Sequence, residues 1–328
     1  MRRRDFMKVV AGSAVAWPLA ARAQQPTLPV VGVVSGQSSQ ADARNAAAFY
    51  KGLGEAGYVD GQNETVEYHW VEGHYDRLAA VMADLVRRKV TVIATTGNNA
   101  TALAAKAATA TIPIVFAVGQ DPVKLGLVAS LARPGGNATG VNDFLSEVDA
   151  KRLRLLHDMV PKAVRIAVLI NPANVPSAEG ALKGTREAAA ATGLQLQVLN
   201  ATTIGEIEAA FASFARQRPD ALFVAADAFF ATRATQFITL TARDRIPAAY
   251  SLRDYVTAGG LMSYGADLAE IGHQVGLYTG SILKGAKPAD LPVLQSTKFY
   301  FALNLQTARA FGIEVPSGLL SIADEVIE

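Results

Sequence analysis

Short runs of β-branched residues alternate with amphipathic segments along almost the whole of this 328-residue chain. The run from Val30 to Val34 predicts a buried strand, and the stretch from Ala41 to Glu55 predicts a helix that ends at Gly57. Within residues 78–86, apolar side chains recur at the spacing of one helix face. Strands that are joined by helices at this spacing form a parallel sheet covered by helices on both faces. The pattern therefore predicts an α/β fold.

The second half of the chain repeats the plan of the first. Ile112-Pro113 begins a predicted strand that leads to Asp121, and Ile246-Pro247 begins one that leads to Asp254. Proline is tolerated at the first residue of a strand, so both segments fit this assignment. The further predicted strands are 64–70, 90–94, 114–118, 165–170, 194–199, 221–225, 248–250 and 298–304. The further predicted helices are 100–109, 123–131, 178–192, 205–217, 229–244 and 305–311.

The length of the chain predicts two lobes, because a single hydrophobic core stops growing near about 250–300 residues. We expect the chain to cross between the lobes near residues 143–149, near 265 and near 295–303. The first lobe would then contain residues 28–144 plus 266–295, and the second would contain 145–265 plus 296–328. The predicted architecture is two doubly wound parallel-sheet lobes joined by a three-segment hinge.

The N-terminus has the layout of a cleaved secretion signal. A basic region that includes Arg3-Arg4 and Phe6 precedes an apolar stretch from Val9 to Ala20, and a small-x-small site follows at Ala21–Ala23. The paired arginines indicate the twin-arginine export route. An uncleaved membrane helix is the alternative, but the apolar stretch is shorter than the roughly 20 residues that span a bilayer. We predict that residues 1–23 are a signal peptide.

Charge and cysteine content exclude several classes of function. Without residues 1–23 the chain carries 26 basic and 28 acidic side chains, a formal charge of −2, so it has no basic footprint for nucleic acid. The absence of cysteine excludes disulfides, thiolate metal sites and a lipidated N-terminal cysteine. Export without such a lipid anchor favours a periplasmic location. The four histidines have no metal-ligand spacing and no catalytic or cofactor motif is present, so we expect no enzyme activity, cofactor or metal.

Polar residues follow the predicted strands, where open parallel sheets bind their ligands. With two lobes, these strand ends would face one another across a cleft. The hydroxyl, amide, carboxylate and phenol groups among them suit a small polar ligand. The candidate cleft residues are Ser35, Gly36, Thr95, Thr96, Gly97, Asn98, Gln120, Asp121, Asn171, Asp227, Ser251 and Tyr264.

Several of these residues also have a purely structural interpretation. Asp121, which precedes Pro122, is a strong helix N-cap, and Asn171 could shape a turn. Asp227 follows an apolar strand, so capping the next helix competes with binding a ligand ammonium group. Tyr264 could stack on a ligand ring or fill the hinge. The sequence leaves each pair of alternatives open.

Several motifs together resemble those of the ABC transporter substrate-binding family, whose better-known members bind tryptophan or tyrosine. The resemblance covers nearly all of residues 28–328. Its motifs are Ile112–Phe116, Asp121-Pro122-Val123, Gly126-Leu127-Val128, Leu131–Gly140 and Gly259–Gly265.

The resemblance implies a type I periplasmic binding fold and a ligand head group near Thr96, Asp121, Asn171, Ser177 and Asp227. It also implies a monomeric receptor that delivers a small polar molecule, such as an amino acid or an aromatic compound, to an ABC permease and its ATPase. Both transporter subunits would be encoded elsewhere. The chain departs from aromatic-amino-acid binders in the segments 96–98 and 225–229. A periplasmic sensor subunit and, less favoured, an exported enzyme are the alternative functions.

Overall fold

The structure is a computed structural model, and it describes residues 28–96, 98–145 and 148–328. Within these residues the strands form two separate sheets. The first sheet contains β1 Val30–Ser35, β2 Thr65–Trp70, β3 Val92–Thr96, β4 Ile114–Val118, β5 Ala138–Asn142 and β11 Leu294–Gln295. Its strand order is β11-β5-β4-β3-β1-β2, and all of these neighbours pair in parallel.

The second sheet has the strand order β13-β12-β10-β9-β8-β6-β7. It contains β6 Arg165–Ile170, β7 Gln195–Asn200, β8 Ala221–Val224, β9 Ala248–Tyr250, β10 Met262–Gly265, β12 Tyr300–Asn304 and β13 Glu325–Ile327. The pair β10–β12 is antiparallel, and the remaining neighbours are parallel. Two parallel-sheet lobes of the α/β class are thereby confirmed.

Helices connect the strands and cover both sheets. Those that precede β7 in the chain are α1 Ala43–Glu55, α2 Leu78–Arg87, α3 Asn99–Ala108, α4 Asp149–Met159 and α5 Val175–Thr192. Those that follow β7 are α6 Ile204–Ser213, α7 Ala228–Ala231, α8 Ala234–Asp244, α9 Arg253–Thr257, α10 Leu268–Leu283, α11 Leu305–Phe311 and α12 Ser317–Ile322. Short 3-10 turns lie at Tyr75–Arg77 and Pro288–Asp290.

Each sheet is buried on both faces, as its apolar strands require. Successive side chains of a strand point to opposite faces, so Val33 packs against α1 and α10 while Val34 packs against α2 and α3. In the second sheet, Val168 packs with residues of α4 and α5, and Leu169 packs with residues of α6 and α8. Both lobes therefore have two-sided cores of their own.

The chain passes between the two sheets after β5, after β10 and after β11. One aromatic ring from each passage joins a common cluster, in which Phe299 lies 6.5 Å from Phe144 and 6.0 Å from Tyr264 between ring centroids. Phe144 has a φ of +56°, a left-handed conformation that is rare for a bulky residue. The buried Arg152 pairs with Asp149 and donates to the Tyr264 carbonyl. These contacts tie the crossing segments together.

Two predicted helices differ from the observed chain. Residues 123–131 form turns rather than a helix, because Gly126 adopts a φ of +73° and the chain folds back to the Pro122 carbonyl. The predicted helix 229–244 is split into α7 and α8. The division lies at Arg233, whose backbone leaves the helical conformation and whose guanidinium lies 4.5 Å from the Phe229 ring centroid.

Candidate ligand-binding site

A small cavity lies between the lobes, where the carboxyl ends of strands from both sheets meet. Its volume is about 30 Å³, room for about two water molecules. Polar residues that follow β1, β3, β5, β8 and β9 supply much of its wall. The lining residues are Gln37, Asn98, Asn99, Gly119, Asp143, Leu145, Ser177, Ala226, Asp227, Ala228, Ala231, Ser251, Leu252 and Leu268.

Asp227 is the most extensively bonded side chain of this cavity. Its Oδ1 accepts hydrogen bonds from Asn171 Nδ2 at 2.9 Å and from the Phe229 backbone N–H at 3.0 Å. Its Oδ2 accepts from the Tyr75 hydroxyl at 2.7 Å and from Asn174 Nδ2 at 2.9 Å. Burial raises the pKa of Asp227, and these hydrogen bonds oppose that rise. The carboxylate therefore caps α7 and receives donors from both lobes.

Asp143 is the second carboxylate of the cavity and comes from the first lobe. It directly follows β5, and 4% of its surface is exposed. Its Oδ1 accepts a hydrogen bond from the Leu145 backbone N–H at 3.0 Å. Burial raises the pKa of Asp143 to about 6, and this hydrogen bond opposes the shift. Among the described residues, Asp143 receives fewer hydrogen-bond donors than Asp227 does.

Hydrogen bonds join the two lobes around the cavity. Besides the contact between Tyr75 and Asp227, Asn99 Nδ2 donates to Ser177 Oγ at 3.2 Å. At the rim, Arg44 Nη1 of α1 lies 3.2 Å from Asp254 Oδ1 of α9. Both charged side chains of the rim pair are about half exposed, so solvent screens this pair more than it screens the buried contacts.

Three candidates from the first lobe lie behind the cavity wall. Ser35, Thr95 and Thr96 are buried at the ends of β1 and β3. Ser35 Oγ accepts from the Gln37 backbone N–H at 3.2 Å, whereas the hydroxyls of Thr95 and Thr96 have no hydrogen-bond partner among the described residues. Gly97 lies outside the described residues.

Of the remaining candidates, some lie at the cavity and others lie away from it. Ser177 lines the cavity, and Asn171 lies behind it, donating to Asp227. Asp121 lies outside the cavity lining and caps its own turn through the Val123 backbone N–H at 2.9 Å. Tyr264 belongs to the aromatic cluster of the crossing segments. The structure thus brings Ser177, Asn171 and Asp227 together and places Asp121 and Tyr264 elsewhere.

Asp143, Tyr75 and Asn174 are site residues that the sequence reasoning missed. The signal that could have found Asp143 is its position directly after β5, because the ends of parallel strands carry ligand groups. Tyr75 lies in a 3-10 turn after β2, and no periodic pattern indicates that its hydroxyl reaches the opposite lobe. Asn174 is the N-cap residue of α5, yet its side-chain amide donates to Asp227 instead of capping the helix.

The described residues contain no group of three or more His, Asp or Glu residues placed to hold a metal ion. They also contain no helix that is both long and apolar enough to cross a membrane.

The family profile for ABC transporter substrate binding proteins matches residues 28–327. The chain belongs to this family. A curated relative, the tyrosine-binding protein of Clostridioides difficile, is 28% identical over 266 residues, which are 81% of this chain and 76% of that protein. The family assignment made from the motifs is thus confirmed.

Two solved structures show how the lobes compare with those of relatives. The ABC domain from Streptococcus pneumoniae in complex with L-tryptophan is 26% identical, covers 92% of this chain and 100% of its own, and superposes with a TM-score of 0.79. The ligand-free, open structure of a substrate-binding protein from Clostridium difficile is 27% identical and covers 92% of this chain and 99% of its own. Its TM-score is 0.62, a lower value at nearly equal identity and coverage.

Proposed function

We propose that this protein is a periplasmic solute-binding receptor that captures a small polar molecule between its lobes and delivers it to an ABC importer. The observation that carries the proposal is the interlobe cavity, which takes polar side chains from both sheets. A ligand placed there would contact both lobes at once. Only the closed arrangement provides all of these contacts, so ligand binding would stabilise that arrangement.

Lobe motion is part of the proposed function. The cavity of about 30 Å³ is too small for an amino acid, so the lobes would have to separate to admit one and settle around it. The hinge would be the three crossing segments, with lobes of residues 28–144 plus 266–295 and 145–265 plus 296–328. The higher TM-score to the tryptophan complex than to the open relative supports a closed arrangement here.

The family of the chain and its N-terminal sequence support the proposed cellular location and transporter partners of the receptor. Residues 1–23 would direct export through the twin-arginine route, and the monomeric mature chain would present its closed lobes to a membrane permease with its ATPase. The relatives that bind tyrosine and tryptophan favour an amino acid or an aromatic compound as the ligand. Asn171, Ser177 and Asp227 would shape the binding side of the second lobe.

A binding screen tests this function directly. The mature chain, residues 24–328, would be heated with amino acids, the amines and acids derived from them, amides and short peptides. A ligand at about a hundred times its dissociation constant adds roughly 2.7 kcal/mol to the free energy of unfolding, which a thermal-shift measurement detects. We expect at least one stabilising compound whose uptake by cells falls when the gene is deleted. Stabilisation without any change in uptake would argue against delivery to an importer.

A further inference from the structure

At the start of α7, the second lobe packs against bare backbone of the first lobe. A Cβ built on Gly73 would overlap the Phe229 Cβ and lie 2.7 Å from the Phe229 Cα. A Cβ built on Gly36 would lie 2.9 Å from the Ala228 Cβ. Carbon atoms that are not bonded to one another normally stay about 3.5–4.0 Å apart. A side chain at either glycine would therefore collide with the second lobe.

Backbone conformation alone does not account for both glycines. Gly73 has a φ of +79°, which by itself favours glycine. Gly36 lies outside the left-handed region, so its backbone would accept any residue. The space at Gly36 is nonetheless filled, by Asn98 of its own lobe and by Ala228 of the second lobe. Glycine at position 36 therefore serves the packing around it, to which the second lobe contributes.

Both sides of this contact are held in place. In the first lobe, the Gly73 N–H donates to the Gly36 carbonyl oxygen at 2.8 Å and joins the two glycines. In the second lobe, Phe229 is only 4% exposed and packs among buried apolar residues. Its ring centroid also lies 4.5 Å from the Arg233 guanidinium. We call Gly36 and Gly73 the glycine seat of α7.

The same turn of chain contributes to the interlobe cavity. Asp227 directly precedes α7 as its N-cap residue and lines the cavity, as does Ala228. Asp227 also accepts the hydrogen bond from the Tyr75 hydroxyl of the first lobe at 2.7 Å. Close packing of α7 on the glycine seat thus accompanies both the cavity wall and the bond between Tyr75 and Asp227.

We propose that Gly36 and Gly73 are positioning residues for ligand capture. Because they have no side chains, the first turn of α7 can reach the first lobe, and this contact sets how closely the lobes approach around a ligand. The two glycines act through the lobes and not by touching the ligand. A side chain at the glycine seat would leave each lobe folded and hold the lobes apart. This inference rests on the proposed receptor function and concerns how its closed arrangement is reached.

The first test is Gly73→Ala. The added methyl group meets the backbone of Phe229, which cannot move aside as a flexible side chain can, so the closed arrangement becomes less populated. Ligand affinity falls with that population. Calorimetry with the tightest compound of the screen should show a loss of about tenfold or more.

Gly61→Ala is the matched control, because it places the same strain in the same lobe. Gly61 has a φ of +76°, close to that of Gly73. Apart from its neighbours in the chain, no atom of the described residues lies within 4 Å of its Cβ position. Gly61→Ala should therefore bind as the parent does, and thermal unfolding checks that both variants are folded. Equal affinities of the two folded variants would overturn the inference.

A second test moves one methyl group across the interface between the lobes. Gly36→Ala should weaken binding, and Ala228→Gly added to it removes the Cβ that the new methyl group meets in the second lobe. The double variant should bind more tightly than Gly36→Ala, whereas Ala228→Gly alone should not bind more tightly than the parent. No gain in the double variant would overturn the inference for Gly36.

The outcomes separate the inference from the function on which it rests. Binding to the parent with unchanged affinity in Gly73→Ala would leave a receptor standing and remove the glycine seat from its mechanism. Absence of binding to the parent by every compound of the screen would count against the receptor function itself.

Discussion

At the scale of single residues, Tyr75 of the first lobe contacts the buried Asp227 carboxylate of the second lobe directly. Its hydroxyl donates to Asp227 Oδ2 at 2.7 Å, in a partly buried position. Burial and the neighbouring Asp227 keep the pKa of Tyr75 well above its usual range, so the hydroxyl remains a donor at physiological pH. This hydrogen bond requires the two lobes to be together, so in the proposed mechanism it would stabilise the closed arrangement.

Tyr75→Phe should therefore shift the protein toward the open arrangement. A hydrogen bond to a charged acceptor contributes about 1.5–3 kcal/mol, so ligand affinity should fall by roughly tenfold or more while the fold is retained. Calorimetry with the tightest compound of the screen measures this loss. Tyr50→Phe, on the exposed side of α1, is the control and should leave the affinity unchanged. Equal affinities in the two variants would remove Tyr75 from the closure mechanism.

Glu64 is a buried acid that lies just before β2, remote from the interlobe cavity. It is 0% exposed, and neither carboxylate oxygen has a hydrogen-bond partner among the described residues. Burial and, to a smaller extent, the nearby Asp60 raise the pKa of Glu64 from 4.5 to about 7. The folded protein therefore keeps this proton at pH values where the unfolded chain has released it.

This shift predicts a pH dependence of stability. The contribution of protonated Glu64 is fully present below a pH of about 4.5 and is lost as the pH rises through 7. Glutamine has no proton to release in this range, so Glu64→Gln does not undergo this loss of stability. Between pH 4.5 and pH 8, the free energy of unfolding of Glu64→Gln should therefore rise by about 2 kcal/mol relative to that of the parent. Urea unfolding at both pH values gives the difference, with the exposed Glu208→Gln as control. A constant difference between variant and parent would show that Glu64 titrates normally in the fold.

Residue-level contacts were the least predictable part of the site. Asp227 was expected either to cap a helix or to bind a ligand, and the structure shows that it caps α7. The pairing of Tyr75 with Asp227 joins residues 152 positions apart, so it depends on how the lobes close and not on local pattern. Asp143 could have been recognised in principle, since it directly follows a strand, but the sequence placed it in a crossing segment.

At the scale of elements, glycines allow α1 and α10 to pack closely against one face of the first sheet. Gly272, Gly276 and Gly280 follow one another at helical spacing along α10. A Cβ at Gly276 would overlap the Phe49 carbonyl oxygen of α1 and lie 2.9 Å from the Leu53 nitrogen. The neighbouring atoms are backbone, which cannot move aside as a side chain can.

Gly276→Ala should therefore force the two helices apart. Overpacking of this kind costs about 1–3 kcal/mol, and we expect a loss at the upper end of that range in chemical unfolding. Gly54→Ala in α1 is a matched control, because no atom outside its own helix lies within 4 Å of its Cβ position. The control should gain about 0.5–1 kcal/mol from helix propensity. Equal stabilities of the two variants would contradict the close-packing account.

Elements with strong periodicity were predicted well, and those decided by one backbone angle were not. The strands β4 and β6 and the helix α11 have the predicted limits, because their apolar runs are bounded by clear breaks. Residues 123–131 have helical spacing of apolar groups, but Gly126 turns the chain before a helix can form. The short edge strands β11 and β13 pair with distant segments and carry too few residues to show a pattern.

At the scale of the whole molecule, the three crossing segments share one aromatic cluster, while the cavity between the lobes lies beside the first of them. Asp143 and Phe144 are neighbours in sequence, one facing the cavity and the other packing on Phe299. The left-handed backbone of Phe144 stores strain at this junction. The cavity lining and the aromatic cluster of the crossing segments therefore contain adjacent residues. Length alone predicted two lobes, whereas this adjacency required the structure.

The central claim, that ligand closes the two lobes, is tested most directly by a distance across the cleft. The chain has no cysteine, so Ser39→Cys in the first lobe and Thr239→Cys in the second would be the only sites for spin labels. Both positions are exposed. Pulsed electron resonance of the labelled protein should give a broad or long distance without ligand and a single shorter distance with the tightest compound of the screen. A distance distribution unchanged at saturating ligand would contradict the account.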